Sequence, residues 1–287
     1  MLTSTRGCVT PEEAAPARRR PPFPFGAVGL LGSVALLALG ADVIAPGDPL
    51  RTVGPALRPP GPPHWFGTDD LGRDVLAMVA HGARTSLMVG AAAALMAAAV
   101  GTLVGGVSGY FGGLIDDILT RLTEFFQVTP RFFLATLAVV LFGSKLWLIV
   151  AVVGLTFWPA PARILRSQVL ALRVREFVLA ARALGAPEAY ILVRHVLPNA
   201  LGPVVVTAAL QVGWAILTEA SLSFLGLGDR NVPGWGQMLS SAQPFIRTAW
   251  WLSVFPGLVL LATVLGVNLL ADWVNLRLDP RLGKAGG

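Results

Sequence analysis

The chain has 287 residues, 54% of them hydrophobic and 13% charged, with a mean hydropathy of +0.68. Soluble domains carry about 25% charged residues, so this chain has too little polar surface to coat a water-soluble globule. Its net charge of +6 would suggest nucleic-acid binding in a soluble protein, but the basic residues lie mostly outside the apolar stretches and form no recognition motif, which points to membrane topology and anionic-lipid contact.

The apolar residues come in blocks near the roughly 20 residues that span a bilayer core. The expected architecture is all-α: a polytopic membrane protein with six transmembrane helices. Residues 1–22, rich in Pro and Arg, read as a disordered cytoplasmic tail. The apolar block 23–45 is longer than the roughly 7–15-residue core of a signal peptide, so it reads as a retained first helix. Residues 46–84 form a polar, extracytoplasmic segment in which Pro46, Pro49, Pro55, Pro59, Pro60, Pro62 and Pro63 exclude a long helix. Residues 85–275 hold the other five helices, in blocks Thr85–Tyr110, Ile118–Phe142, Leu146–Leu165, Ala200–Leu227 and Ala249–Leu270. A charged stretch, 166–199, interrupts them, a polar loop covers 228–248, and 276–287 is a short cytoplasmic tail.

Six crossings put both termini on one side. With the N-terminus inside, fourteen Lys and Arg residues fall inside and seven outside, leaving Arg131 unassigned from the total of 22. The positive-inside rule therefore favours cytoplasmic termini. Trp65, Trp147, Trp235, Trp250 and Trp251 fall on the outer side, where an aromatic belt is expected.

Gly101, Gly105, Gly109 and Gly113 recur every four residues, a pattern that lets helix backbones approach closely in lipid. Cys8 is the single cysteine, and His64, His81 and His195 are far apart. No disulfide, metal site or cofactor is expected. The two lysines, Lys145 and Lys284, fit no G-x-x-x-x-G-K-[ST] pattern, so the energy for any transport must come from a partner.

The stretch Arg166–Asn199 is too polar for lipid. Phe177, Ala180, Ala181 and Leu184 follow the i, i+3, i+4, i+7 rule of an amphipathic helix. Gly185 sits where a left-handed C-terminal glycine would end it, Pro187 suits the first turn of a second short helix, and Pro198 is expected to stop that one. Glu188 lies near the second helix's positive end. A face this rich in alanine suits docking into a partner's groove better than lying flat on lipid, which favours bulky side chains.

Leu179-Ala180-Ala181-Arg182-Ala183-Leu184-Gly185, followed by Val196-Leu197-Pro198-Asn199, resembles the EAA motif of binding-protein-dependent ABC importer permeases. The leading Glu of that motif is Leu179 here and its usual Ile is His195, as in the peptide-importer branch. The segment His64–Val75, the stretch Glu219–Gly228 and Asp279-Pro280-Arg281-Leu282 are similar to the C-type subunits of dipeptide and oligopeptide permeases. The resemblance covers residues 23 to 283.

It implies a type I ABC importer transmembrane domain with a cytoplasmic coupling-helix loop, in a bacterial inner membrane. Ala180, Ala181, Arg182, Gly185, Leu197 and Pro198 would couple to the ATPase. The implied partners are two ATP-binding-cassette ATPase subunits, a second permease subunit forming a heterodimer, an extracytoplasmic substrate-binding protein and membrane lipid. The chain itself would not be an enzyme. Asp69, Asp70, Arg73 and Asp74 offer either a contact for the binding protein or a salt-bridged cap over helix ends. Glu219, inside the fifth block, reads as a packing or helix-end residue.

Two alternatives belong to other classes. An ion-coupled secondary transporter would need ionisable groups at the bilayer midplane, and apart from Glu219 and Arg131 the blocks are almost uncharged. An intramembrane protease could use Ser108, whose Gly106-Val107-Ser108-Gly109 setting superficially resembles rhomboid proteases, but it would need a His base on a facing helix.

Overall fold

The computed structural model describes residues 23–278, and among them every regular element is helical. The expected tail 1–22 and the Asp279–Leu282 motif lie outside the described residues. The first apolar block forms α1 (Phe25–Leu39) and a short α2 (Ala41–Ile44). Arg84 closes the break between them. Its guanidinium donates to the carbonyls of Ala38 and Leu39, acceptors left open at a helix end, and pairs with Asp42 at 2.8 Å.

Residues 46–74 form an irregular cap. Thr68 ties it together: its hydroxyl donates to the Pro55 carbonyl at 2.6 Å, and its carbonyl accepts the Trp251 indole N–H at 3.2 Å. Asp74 then caps α3 (Val75–Phe111), accepting the Ala77 N–H at 3.0 Å. The helix thus begins at Val75, ahead of the expected Thr85. His81 and Arg84 hid that start from a count of apolar residues, because both are spent on α1, α2 and their end. With 37 residues, α3 is roughly 55 Å long and overruns a bilayer core of about 30 Å.

The third block was expected to be one span. It is instead α4 (Gly113–Val128) and α5 (Arg131–Phe142), which meet at 88°. The cause is Pro130, which lacks an N–H and drives the preceding residue out of the helical region; Thr129 sits at φ −75°, ψ 130°. α6 (Leu146–Phe157) and α7 (Pro159–Leu172) join through Trp158 into a 27-residue span that runs past the expected Leu165. After the charged stretch come α11 (Gly202–Phe224), α12 (Trp235–Ala242) and α13 (Trp251–Leu278). By length and composition α3, α6–α7, α11 and α13 can each cross a membrane, and the bent α4–α5 pair is long and apolar enough for a fifth crossing if its two helices form one span. α1, with 15 residues, is shorter than a full crossing, so the expected count of six transmembrane helices is not matched exactly among the described residues.

Three members of the glycine row sit against α7. A Cβ on Gly105 would lie 2.2 Å from the Ala162 carbonyl oxygen, and one on Gly109 would lie 2.8 Å from that of Arg166. Gly113 departs from the row and starts α4. Two of the tryptophans expected in an aromatic belt are core residues: Trp235 and Trp251 are buried, each with its indole N–H on a backbone carbonyl. Trp65, Trp147 and Trp250 remain exposed.

Candidate functional site

The stretch after α7 folds as a hairpin of short helices: α8 (Glu176–Ala183), α9 (Glu188–Ile191), a π-helical turn Leu192–Val196 and α10 (Leu197–Ala200). Gly185 makes the turn at φ 81°, a conformation that costs other residues about 1–2 kcal/mol. Around it the Gly185 N–H donates to the Arg182 carbonyl and the Ala186 N–H to the Ala181 carbonyl, the two bonds of a Schellman motif. Pro187 is the N-cap of α9. Pro198 does not stop the chain as expected. It falls in the first turn of α10, where a missing N–H breaks no helical bond, and the chain continues through Leu201 into α11.

One side of the hairpin supports the turn. Val178, Ile191, Leu192 and Val196 are buried with Leu165 and Val169 of α7, Tyr110 of α3 and Val204 of α11. Each such side chain contributes about 1.5–3 kcal/mol. The other side is bare: Phe177 is 43% exposed, Leu184 88% and Val193 63%.

The six candidate coupling residues divide between these sides. Ala180 and Gly185 are exposed, with nothing within 4 Å of a Cβ built on Gly185. Ala181 and Leu197 pack on the inner cluster, Leu197 reaching towards Gly106 of α3. Pro198 is exposed at the base of the hairpin. Arg182 is engaged within the hairpin: its Nε and Nη2 donate to the two carboxylate oxygens of Glu188 at 2.7 and 3.0 Å.

Two further residues complete the site: Glu188, read from the sequence only as a charge near a helix end, and Tyr110, which sequence reasoning did not select. The buried Tyr110 hydroxyl donates to Glu188, joining the end of α3 to the hairpin. The Arg182 guanidinium, and after it the Tyr110 hydroxyl, hold the Glu188 carboxyl below its ordinary range. Glu188 and Arg182, of opposite charge and six apart across a glycine turn, gave a sequence signal; Tyr110, 78 positions from Glu188, gave none. Arg173 adds a second tie, donating to the carbonyls of Gly109 and Tyr110 at 3.3 Å. Arg166 of α7 forks onto Asp116 of α4 at 2.6 and 2.7 Å, beside a cavity of about 270 Å³ lined by Ser108, Thr123, Gln127 and Arg163.

At the other end of α3, the cap uses its own charges. Asp69 Oδ1 accepts the N–H groups of Leu71 and Arg73 at 2.9 and 2.8 Å, and Oδ2 accepts the Arg73 Nε–H at 2.6 Å. Asp74 lies 2.7 Å from His64 Nδ1. Asp70 and Arg73 also border an open pocket of about 400 Å³ with Ser223, Arg230 and Gln237. Glu219 is buried in the last turns of α11 and accepts the Ser223 hydroxyl at 2.6 Å. Ser108 is buried, with its hydroxyl directed to the Gly105 carbonyl at 3.4 Å. Among the described residues no three His, Cys, Asp or Glu side chains converge as a metal site requires.

Residues 101–284 match the family described as binding-protein-dependent transport system inner membrane component. The chain is 38% identical over 256 residues to the dipeptide transport system permease protein DppC of Alkalihalophilus pseudofirmus, covering 88% of this chain and 84% of that one. It is 40% identical over 228 residues to the oligopeptide transport system permease protein OppC of Bacillus subtilis, with 79% and 75% covered. A chain of the MetNI methionine ABC transporter, solved in inward-facing conformations, shares the fold at a TM-score of 0.50 and 19% identity, with 73% of this chain and 97% of that one covered. The chain belongs to the family of binding-protein-dependent transport system inner membrane components.

Proposed function

We propose that this chain is the permease subunit of an ATP-binding-cassette importer that carries di- or oligopeptides across the cytoplasmic membrane, with the hairpin 173–200 as its coupling element. The observation that carries the reading is the hairpin's two-sidedness. One side is bonded and packed onto α3, α7 and α11. The other presents Phe177, Ala180 and Leu184 with no covering element among the described residues. Exposed apolar side chains on a rigid, sharply turned element outside the bilayer suit the groove of a soluble partner.

In this reading two ATPase subunits dock on the hairpin in the cytoplasm. ATP binding draws the docked hairpins together and the bundle rocks to open outward; hydrolysis returns it. Both termini are cytoplasmic. The cap 46–74 and the loop 228–248 face the substrate-binding protein, with Asp69, Asp70, Arg73 and Asp74 shaping that face. A second, B-type permease completes a heterodimer. The peptide cargo is read from the names of the dipeptide and oligopeptide permeases that the chain resembles, with specificity set mainly by the binding protein.

Gly185→Asp tests the docking role. Asp tolerates the left-handed region better than most residues, and its side chain would enter open space. Membrane insertion should survive while uptake and co-purification of the ATPase are lost. Normal uptake by this variant would count against docking, and uptake that persists without ATP would favour an ion-coupled transporter.

A further inference from the structure

We propose that Glu188 is the pin that locks the hairpin to α3, so that a displacement received by the hairpin is carried along α3 to the cap at its far end. The inference rests on the docking role given above and concerns what happens after docking.

The Glu188 carboxylate lies where three elements meet. It sits on α9, across the Gly185 turn from α8, and is bonded both by the Arg182 fork of α8 and by the Tyr110 hydroxyl of α3. Tyr110 packs its ring among the same apolar residues that hold the hairpin, so one side chain joins the packing to the hydrogen bond. Arg173 grips the same end of α3 through the Gly109 and Tyr110 carbonyls. Apolar contact is non-directional and permits sliding, whereas a charge-assisted hydrogen bond fixes direction and distance. With the pin in place the hairpin cannot slide along α3 without breaking it.

From Tyr110 the helix runs back to Val75 with no proline. Its other end is clamped as well: Asp74 caps it, and the Val75 N–H donates to the Gly67 carbonyl of the cap at 3.1 Å. α3 is therefore one continuous rod fixed at both ends, joining the face that would meet an ATPase to the face that would meet a binding protein.

The test uses the complete complex reconstituted in liposomes and reads solute transported per ATP hydrolysed. Tyr110→Phe removes one hydroxyl and leaves the packed ring; Glu188→Gln removes the charge and keeps the shape. Both variants should still co-purify with the ATPase. Each should lower transport per ATP several-fold, and the double variant should be no worse than the poorer single, because both break one joint. A wild-type ratio in both singles overturns the pin, and so do losses that multiply in the double. If Glu188→Gln fails to assemble, Tyr110→Phe alone decides in the same way. Failure of the docking reading itself is seen separately, as undiminished ATPase capture by Gly185→Asp.

Discussion

The cap of residues 46–74 and the hairpin of residues 173–200 sit at opposite ends of α3 and are built on opposite principles. The cap turns its polar groups inward. Thr68, Asp69, Arg73 and Asp74 bond to the cap's own backbone, to each other or to the start of α3, and Trp251 closes it from α13. The hairpin uses a few polar groups as ties and leaves apolar side chains bare. A segment that satisfies most of its own hydrogen bonds holds its shape unaided, even though Asp70 Oδ1 has no partner and Val53, Trp65 and Leu71 stay exposed. One that leaves Leu184 almost fully exposed offers a bare apolar face, which is what the proposed docking role requires.

Substitutions in the two regions should therefore fail differently. Asp69→Ala should have the largest effect on stability. It leaves a mostly buried Arg73 and two backbone N–H groups unpaired, at about 3 kcal/mol, and thermal unfolding in detergent should show the cap loosening. Gly185→Asp should cost roughly 1 kcal/mol, from backbone strain alone, while transport is lost; a stability loss like that of Asp69→Ala would mean the hairpin is a folding element and not a docking one. Leu184→Ser should change stability by less than about 0.5 kcal/mol, yet weaken ATPase capture in a pull-down. Unchanged capture would erase the contrast between the two regions.

The smallest effect is on pH. Glu188 has its folded value depressed below the ordinary 4.5, so the contribution of its ionised form is fully present above that value and is lost as the pH falls through the folded one. Hydrogen exchange of the α8 and α9 amides, corrected for intrinsic rate, should be flat near neutral pH and rise only in acid below the ordinary glutamate range. Because Arg182 and Glu188 are each half exposed, salt should shrink this difference.

Much of this organisation was legible in advance because the signals are local. Apolar blocks announce spans, and Gly185 with Pro187 announces a turn between two short helices, which is where the structure puts it. The errors arose where a local signal was ambiguous. Pro198 read as a stop because proline excludes the helix interior, but it is equally at home in a first turn. Pro130 lay unremarked within an apolar block, and there it breaks the span by 88°. Asp69 and Asp70 are adjacent and chemically alike, and no sequence rule assigns one to a buried turn and the other to the edge of a pocket.

The sequence by itself determined that the chain is a multi-pass membrane protein with several apolar helical blocks, and that an Ala-rich helical hairpin interrupts them. These follow from hydropathy, periodicity and backbone preference, which act over a few tens of residues. Only the tertiary structure decided which side of the hairpin is covered, that Arg182 turns to Glu188, and that Tyr110 reaches the same carboxylate from 78 positions away. Such pairings depend on how the rods pack, and α3 can approach α7 closely enough to set them only because Gly105 and Gly109 carry no side chain.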